Sequence, residues 1–283
     1  MLSRSRGVNL FTMPSRVNRD RICQHDGSLT ANVQGGYRQT PFLGRGDALS
    51  RHVVNKFRRP TILQLNIEGL TASKMVVLHH LATQFEALVI LLQETHCTSA
   101  ERLVLPNYQL AGVSLSRKHG LATFVHERLK WILVDQSPPT SEIEWMCVDV
   151  DGYNIVNVYK PPPTRLQASD FPVYRHPTLY AGDFNCQHVD WGYDTTTADG
   201  ECLAGWASSN GLTLLYSPKD AASFHSGRWK TDTNPDFAFA SVDSESRSPD
   251  RRVLGRFPRS QHRPLLITSP RLAHPKPSKP MKR

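Results

Sequence analysis

The sequence predicts an α/β fold in which two mixed β-sheets pack face to face with helices on their outer sides, a four-layer sandwich. Three observations lead there. Short apolar runs recur along the middle of the 283-residue chain, helical spacing is confined to two stretches, and both hairpin and crossover connections join the runs.

The elements follow in order. Thr61 to Ile67 reads as a strand, with Leu63, Leu65 and Ile67 on one face. After Gly69, Thr71 or Ser73 can cap a helix whose apolar positions are Met75, Leu78, Leu81, Ala82 and Phe85. Ala87 to Leu92 is apolar on both faces, as a buried central strand is. Ala122 to His126 and Trp131 to Asp135 are further strands. Trp145 to Val150 and Tyr153 to Tyr159 flank Asp151-Gly152, a two-residue hairpin signal. Thr178 to Ala181 runs into Gly182. A second helix is expected from about Asp199 to Asn210, burying Leu203, Trp206 and Ala207, with Gly211 ending it. Short strands follow at Leu212–Tyr216, Asp236–Ser241, Arg252–Phe257 and Pro264–Thr268. No internal repeat is visible.

Composition bounds the function. The longest uninterrupted apolar run, Ala87 to Leu92, is far short of the roughly 20 residues that span a bilayer, so no membrane role is expected. Five Cys without a CxxC pair exclude a disulfide scaffold and a recognisable zinc module, and a reduced, intracellular protein is the reading. The chain carries 34 Lys+Arg against 25 Asp+Glu, a formal charge of +9. Residues 1–60 hold 11 basic and three acidic residues, and residues 270–283 hold five basic residues and no acid. Residues 61–269 keep 18 basic and 22 acidic residues. The expected organisation is a basic N-terminal segment at 1–60 without stable structure, a folded domain at 61–269 and a Pro/Lys-rich tail at 270–283. Basic ends of this kind suit phosphate backbones, although simple solvated tails fit equally well. Arg4, Arg6, Arg16 and Arg19, with no acid before Asp20, also suit a mitochondrial presequence, a minority reading beside a nuclear location.

Polar residues interrupt these strands where each leaves the core. They are Asn66, Glu94 in Gln93-Glu94-Thr95-His96, Asp183 and Asn185 in Gly182-Asp183-Phe184-Asn185, Asp236, and His262 before the last strand. Strand ends at one edge of a sheet converge, so the set can share one site. Singly, each has a plain alternative as a turn former or a solvated end. The order of the set is what carries information.

That ordered set resembles the endonuclease/exonuclease/phosphatase superfamily, in particular the endonuclease domains of non-LTR retrotransposons of the jockey and LINE kind. The matching stretches are LQLNIEGL (63–70), ILLQETH (90–96), NVYKPPP (157–163), LYAGDFNCQHVDWG (179–192), NPDFAFAS (234–241) and SQHRPLL (260–266). The resemblance implies that Glu94 binds the metal with Asn66 beside it, and that Tyr159 contacts the scissile phosphate. It implies that Asp183 and Asn185 position the attacking water and the phosphate. His262 would be the catalytic histidine and Asp236 the carboxylate orienting its ring. Ser223 stands where relatives have Thr or Ser near the phosphate, and Trp229, between Arg228 and Lys230, is a candidate contact to nucleic acid.

The implied function is a Mg²⁺-dependent phosphodiesterase, with Mn²⁺ as a substitute, that nicks DNA held through its phosphate backbone. Two departures qualify it. Gln261 stands where relatives usually have Asp, and is expected to offer the metal region a neutral carbonyl oxygen. Glu68 stands where the apurinic endonucleases have Asp. The alternatives are an impaired nucleic-acid-binding relic of the same domain, or a superfamily member acting on another phosphate ester. No YxDD polymerase signature follows the nuclease-like stretch, so the reading is of a retrotransposon-derived endonuclease without its reverse transcriptase.

Overall fold

A computed structural model describes residues 60–241, 249–270 and 272. The basic segments expected at 1–60 and 270–283 lie outside them, save residues 60, 270 and 272. The chain enters on β1 (Thr61–Asn66), whose six residues are all buried, and crosses through α1 (Ala72–Gln84) to the parallel β2 (Ala87–Gln93). Thr71 is the cap of α1: its hydroxyl accepts from the Lys74 amide at 3.2 Å. Next come β3 (Tyr108–Ser114), β4 (Leu121–His126), β5 (Trp131–Gln136), β6 (Glu144–Val150) and β7 (Tyr153–Tyr159). Asp151 and Gly152, which join β6 to β7, both have positive φ, as the predicted tight hairpin requires. The chain continues through β8 (Thr178–Asp183), α2 (Ala198–Ser209), β9 (Leu212–Leu214), β10 (Phe224–His225), β11 (Asp232–Thr233), β12 (Asp236–Ser241), β13 (Asp250–Val253) and β14 (Leu265–Thr268).

Two six-stranded sheets result, ordered β13-β14-β1-β2-β4-β3 and β5-β6-β7-β8-β12-β9, with β10-β11 as a separate small hairpin. Each large sheet has one parallel pair at its centre, β1 with β2 and β7 with β8, and antiparallel partners on either side. The two sheets thus repeat one strand pattern that leaves no trace in the sequence.

Alternation along the strands divides the core into three layers of side chains. Leu63, Leu65, Ile90 and Leu92 face outward onto Leu78 and Ala82 of α1. Val156, Tyr180, Phe237 and Phe239 face outward onto Leu203 and Trp206 of α2. Ile62, Val89, Leu91, Ile155, Leu179, Ala181, Ala238 and Ala240 fill the space between the sheets. Each fully buried Leu or Ile contributes about 1.5–3 kcal/mol relative to exposure, which is why the central strands tolerate polar side chains only in a defined place.

That place is one end of the sandwich. The inward positions read Ile62-Gln64-Asn66, Val89-Leu91-Gln93, Ile155-Asn157-Tyr159, Leu179-Ala181-Asp183 and, on the antiparallel strand, Ala240-Ala238-Asp236. The registers Asn66 to Gln93, Tyr159 to Asp183, and Asp183 to Asp236 align their polar ends.

Two predicted strands end differently. Arg252–Phe257 becomes β13 at Asp250–Val253, because Leu254 and Phe257 turn into the α1-side core from a loop. The strand expected to reach Tyr216 stops at Leu214, although the Leu215 amide still donates to Ala238 at 2.8 Å. Among the described residues no helix is long and apolar enough to cross a membrane.

Candidate active site

The loops that leave β1, β2 and β8 at the polar end turn sharply. Glu68, Glu94, His96 and Asn185 all adopt positive φ, at 46°, 49°, 53° and 46°. Such conformations cost non-glycine residues about 1–3 kcal/mol and are held only where surrounding contacts enforce them. They turn Glu94 back toward Asn66.

Asn66 is the hinge of the carboxylate cluster. Its Nδ2 donates to Glu94 Oε1 and to Asp183 Oδ2, both at 2.9 Å, while its Oδ1 accepts from the Glu68 amide at 3.1 Å. The amide orientation is fixed by those partners, since carboxylates only accept and a backbone N–H only donates. Asn66 therefore stands beside Glu94 with its nitrogen toward the two carboxylates and its oxygen toward the Glu68 amide.

Glu94 also receives a hydrogen bond from the buried Tyr159 hydroxyl. Burial first, and then the charge of Glu94, push the Tyr159 phenol far above its ordinary range, so it stays a donor. On its other oxygen, Glu94 faces His96 Nε2 at 3.3 Å.

Across from Glu94, His262 is almost fully buried, with Nδ1 on Asp236 Oδ2 at 2.8 Å and Nε2 3.8 Å from Asp183 Oδ2. Burial disfavours the imidazolium, but the charge and hydrogen bond of Asp236, then Asp183 and Glu68, outweigh it and raise the ring to about 9. Asp183 is raised to about 7, chiefly by burial, with His262 opposing and Asp236 and Glu94 adding to the rise. Ser260 ties this loop to β1, accepting from the His262 amide at 3.1 Å and donating to Asn66 O at 2.9 Å.

The remaining predicted residues take distinct places. Asn185 donates from Nδ2 to Lys160 O at 2.9 Å and lines an open cleft of about 490 Å³ together with His262, Phe224, Tyr193 and Arg165. Ser223 is buried and its hydroxyl accepts from the Asp236 amide at 3.3 Å, so it holds the main chain at Asp236. Trp229 is 69% exposed on the turn joining β10 to β11, with the Arg228 guanidinium 4.7 Å from its ring, whereas Trp191 and Trp206 are core. Gln261 departs from expectation. Its Oε1 accepts from the Gly227 amide at 2.9 Å rather than facing the metal region. Its main-chain and side-chain nitrogens both donate to Glu68, at 3.0 and 3.3 Å. Sequence reasoning passed over Gln64, Gln93 and Asn157, all fully buried behind the site.

Residues 153–266 match the model of a family described as endonuclease-reverse transcriptase. The segment holds Tyr159, Asp183, Asn185, Asp236 and His262, while Asn66 and Glu94 precede it. The match bears out the resemblance to retrotransposon endonuclease domains read from the sequence. Several solved structures share the fold. The endonuclease domain of TRAS1, a telomere-specific non-LTR retrotransposon, is 19% identical with a TM-score of 0.56, covering 76% of this chain and 99% of that one. An AP endonuclease from Leishmania major is 15% identical with a TM-score of 0.57, covering 74% of this chain and 87% of that one. An AP endonuclease from Archaeoglobus fulgidus is 14% identical with a TM-score of 0.52, covering 74% and 98%. At these identities the likeness is one of fold. No curated protein matches the chain in sequence.

Proposed function

We propose that this site hydrolyses phosphodiesters in DNA, with a divalent cation bound at Glu94. The observation that carries the reading is the meeting of the Glu94 and His262 halves through Asp183. That carboxylate takes one hydrogen bond from Asn66, which also holds Glu94, and lies 3.8 Å from the His262 ring. Glu94, Asp183, Asp236 and Glu68 gather at this end of the sandwich, with Asp183 bonded to the Asn66 that also holds Glu94 and Asp236 bonded to His262. An oxygen-rich, anionic donor set of this kind suits Mg²⁺, or Mn²⁺ in its place. Glu94 would hold the ion, with Glu68 beside it, and the ion would offset charge on the departing oxygen.

The chain's own groups account for the rest. Asp183, poised near neutrality, accepts the proton of an attacking water as the new oxygen–phosphorus bond forms and the ester bond to the departing oxygen breaks. His262, protonated and fixed by Asp236, directs Nε2–H at a non-bridging phosphate oxygen. Tyr159 and Asn185 flank the phosphate, and the departing oxygen takes its proton from solvent. The names of the similar structures, a retrotransposon endonuclease and AP endonucleases, favour DNA as the ester, with the basic ends of the chain adding backbone attraction. A nuclear location accords with that substrate.

One observation favours the second reading, an impaired binding relic. Gln261 supplies no carboxylate, and its oxygen is turned to Gly227. Conversion of supercoiled plasmid to nicked circles by the purified chain separates the two. Nicking with Mg²⁺ that stops with EDTA, and is lost in Glu94→Gln and His262→Ala, supports the enzyme. Salt-sensitive DNA binding without nicking supports the relic.

A further inference from the structure

Behind Asp236 runs a line of buried side-chain amides. Asn157, on β7, donates from Nδ2 to Leu92 O, Ala122 O and Thr123 Oγ1, each at 3.2 Å. Its Oδ1 accepts from Gln93 Nε2 at 2.6 Å. Gln93 Oε1 accepts from Gln64 Nε2 at 2.8 Å, and the same Gln64 nitrogen donates to Asp236 Oδ1 at 3.0 Å. Gln64, Gln93, Asn157 and Asp236 have no exposed surface.

The direction of this line is dictated at its far end. Backbone carbonyls can only accept, so the Asn157 nitrogen must face Leu92 and Ala122, and its oxygen must face Gln93. That choice forces the Gln93 nitrogen toward Asn157 and its oxygen toward Gln64. Gln64 must then present its nitrogen, and both of its protons are committed. A carboxylate met by an N–H has to accept, so Asp236 Oδ1 is fixed as an acceptor and Oδ2 is left for the ring.

We propose that Gln64, Gln93 and Asn157 form a directional relay that positions Asp236 and thereby holds His262 with its Nδ1 proton on Asp236 and Nε2 toward the substrate. It rests on the reading of His262 as the group that meets the phosphate. Packing alone does not call for it. Leucine or methionine would fill these interior positions without leaving Gln64 Oε1 buried and unpartnered, as it is here. The relay crosses between the layers, from β7 of one sheet to β2 and β1 of the other, and back to β12. The two sheets therefore fix the histidine jointly.

The test uses Gln64→Met, which keeps volume but has no donor, and Gln64→Glu, which keeps shape but sets an acceptor against Asp236. Gln64 touches no substrate, so a positioning role predicts lower kcat at unchanged KM in plasmid nicking. The expected loss is roughly 10- to 100-fold, the range seen when outer-shell partners of metal-bound histidines are removed. ¹⁵N-histidine NMR gives a readout that needs no catalysis. The wild-type ring carries its proton on Nδ1 with a low-field resonance, and both variants shift or broaden it while their melting transitions remain cooperative. Wild-type kcat in both folded variants overturns the relay, as does a wild-type ring that lacks the Nδ1 proton. Full activity in His262→Ala overturns instead the catalytic reading on which the relay depends.

Discussion

Gln261 grips Glu68 through two nitrogens, its backbone N–H on Oε2 at 3.0 Å and its side-chain amide on Oε1 at 3.3 Å. A carboxylate at 261 would lose the second contact and face Glu68 with like charge. Gln261→Asp therefore melts lower than wild type without metal, by about 2–4 °C for each kcal/mol lost in a body of this size. It also shows the larger upward shift when Mg²⁺ is added, because two facing carboxylates bind a hard cation better than a carboxylate and an amide. Thermal melts with and without Mg²⁺ check both signs.

The pH dependence has a definite sign. His262 is raised from 6.5 to about 9, so the folded chain holds that proton more tightly than the unfolded one. Its stabilisation is complete below the unfolded value and fades as pH rises through about 9. Asp183, raised from 3.8 to about 7, acts in the same direction over a lower window. The melting temperature of the metal-free protein is expected to fall between pH 6 and pH 9.5 on these grounds, and His262→Ala flattens the upper part of that fall.

Lys160 has no exposed surface and pairs through Nζ with Asp199 Oδ2 at 3.1 Å, joining the end of β7 to the first turn of α2. Removing only the acid strands a buried charge. Asp199→Ala is expected to cost about 3–5 kcal/mol, while the double variant Asp199→Ala/Lys160→Met, which removes both charges and keeps the packing, stays near neutral. Denaturant titration of the two variants measures the contrast.

Gly182 leaves no room for a side chain, because a Cβ there would overlap the carbonyl of Val158 on the neighbouring parallel strand. Gly182→Ala pushes β7 and β8 apart beside Tyr159 and Asp183. It is expected to destabilise by about 3 kcal/mol or more and to abolish nicking even where the chain still folds.

The sandwich was legible because its central strands are long apolar runs and Thr71 marks the start of the first helix, which its hydroxyl caps. The cap of the second, Thr197, lies just before the start expected at about Asp199. β3 was not read, since only Ala111 and Gly112 of Tyr108–Ser114 are buried and its edge position leaves the alternation weak. β10 and β11 are two residues each, too short for any period to register.

Within the site, Asp183, Asp236 and His262 stood out as polar groups at strand ends. Gln64 and Asn157 did not, because a polar residue between apolar ones in a strand reads as a solvated face. One signal was present. Gln64 lies two residues before Asn66, and Asn157 two before Tyr159, so each shares its face with a residue already chosen. Contacts that hang on a neighbouring turn, such as the Gln261 oxygen on Gly227, leave no such mark.

Both layers furnish parts of the same machine: β1 and β2 bring Asn66 and Glu94, while β8 and β12 bring Asp183 and Asp236. A slide of one layer over the other by a fraction of a strand residue would leave every ladder intact and still pull these groups out of reach. Gentle warming is thus expected to silence cleavage before any change in backbone circular dichroism, with function the first casualty of loosened layers.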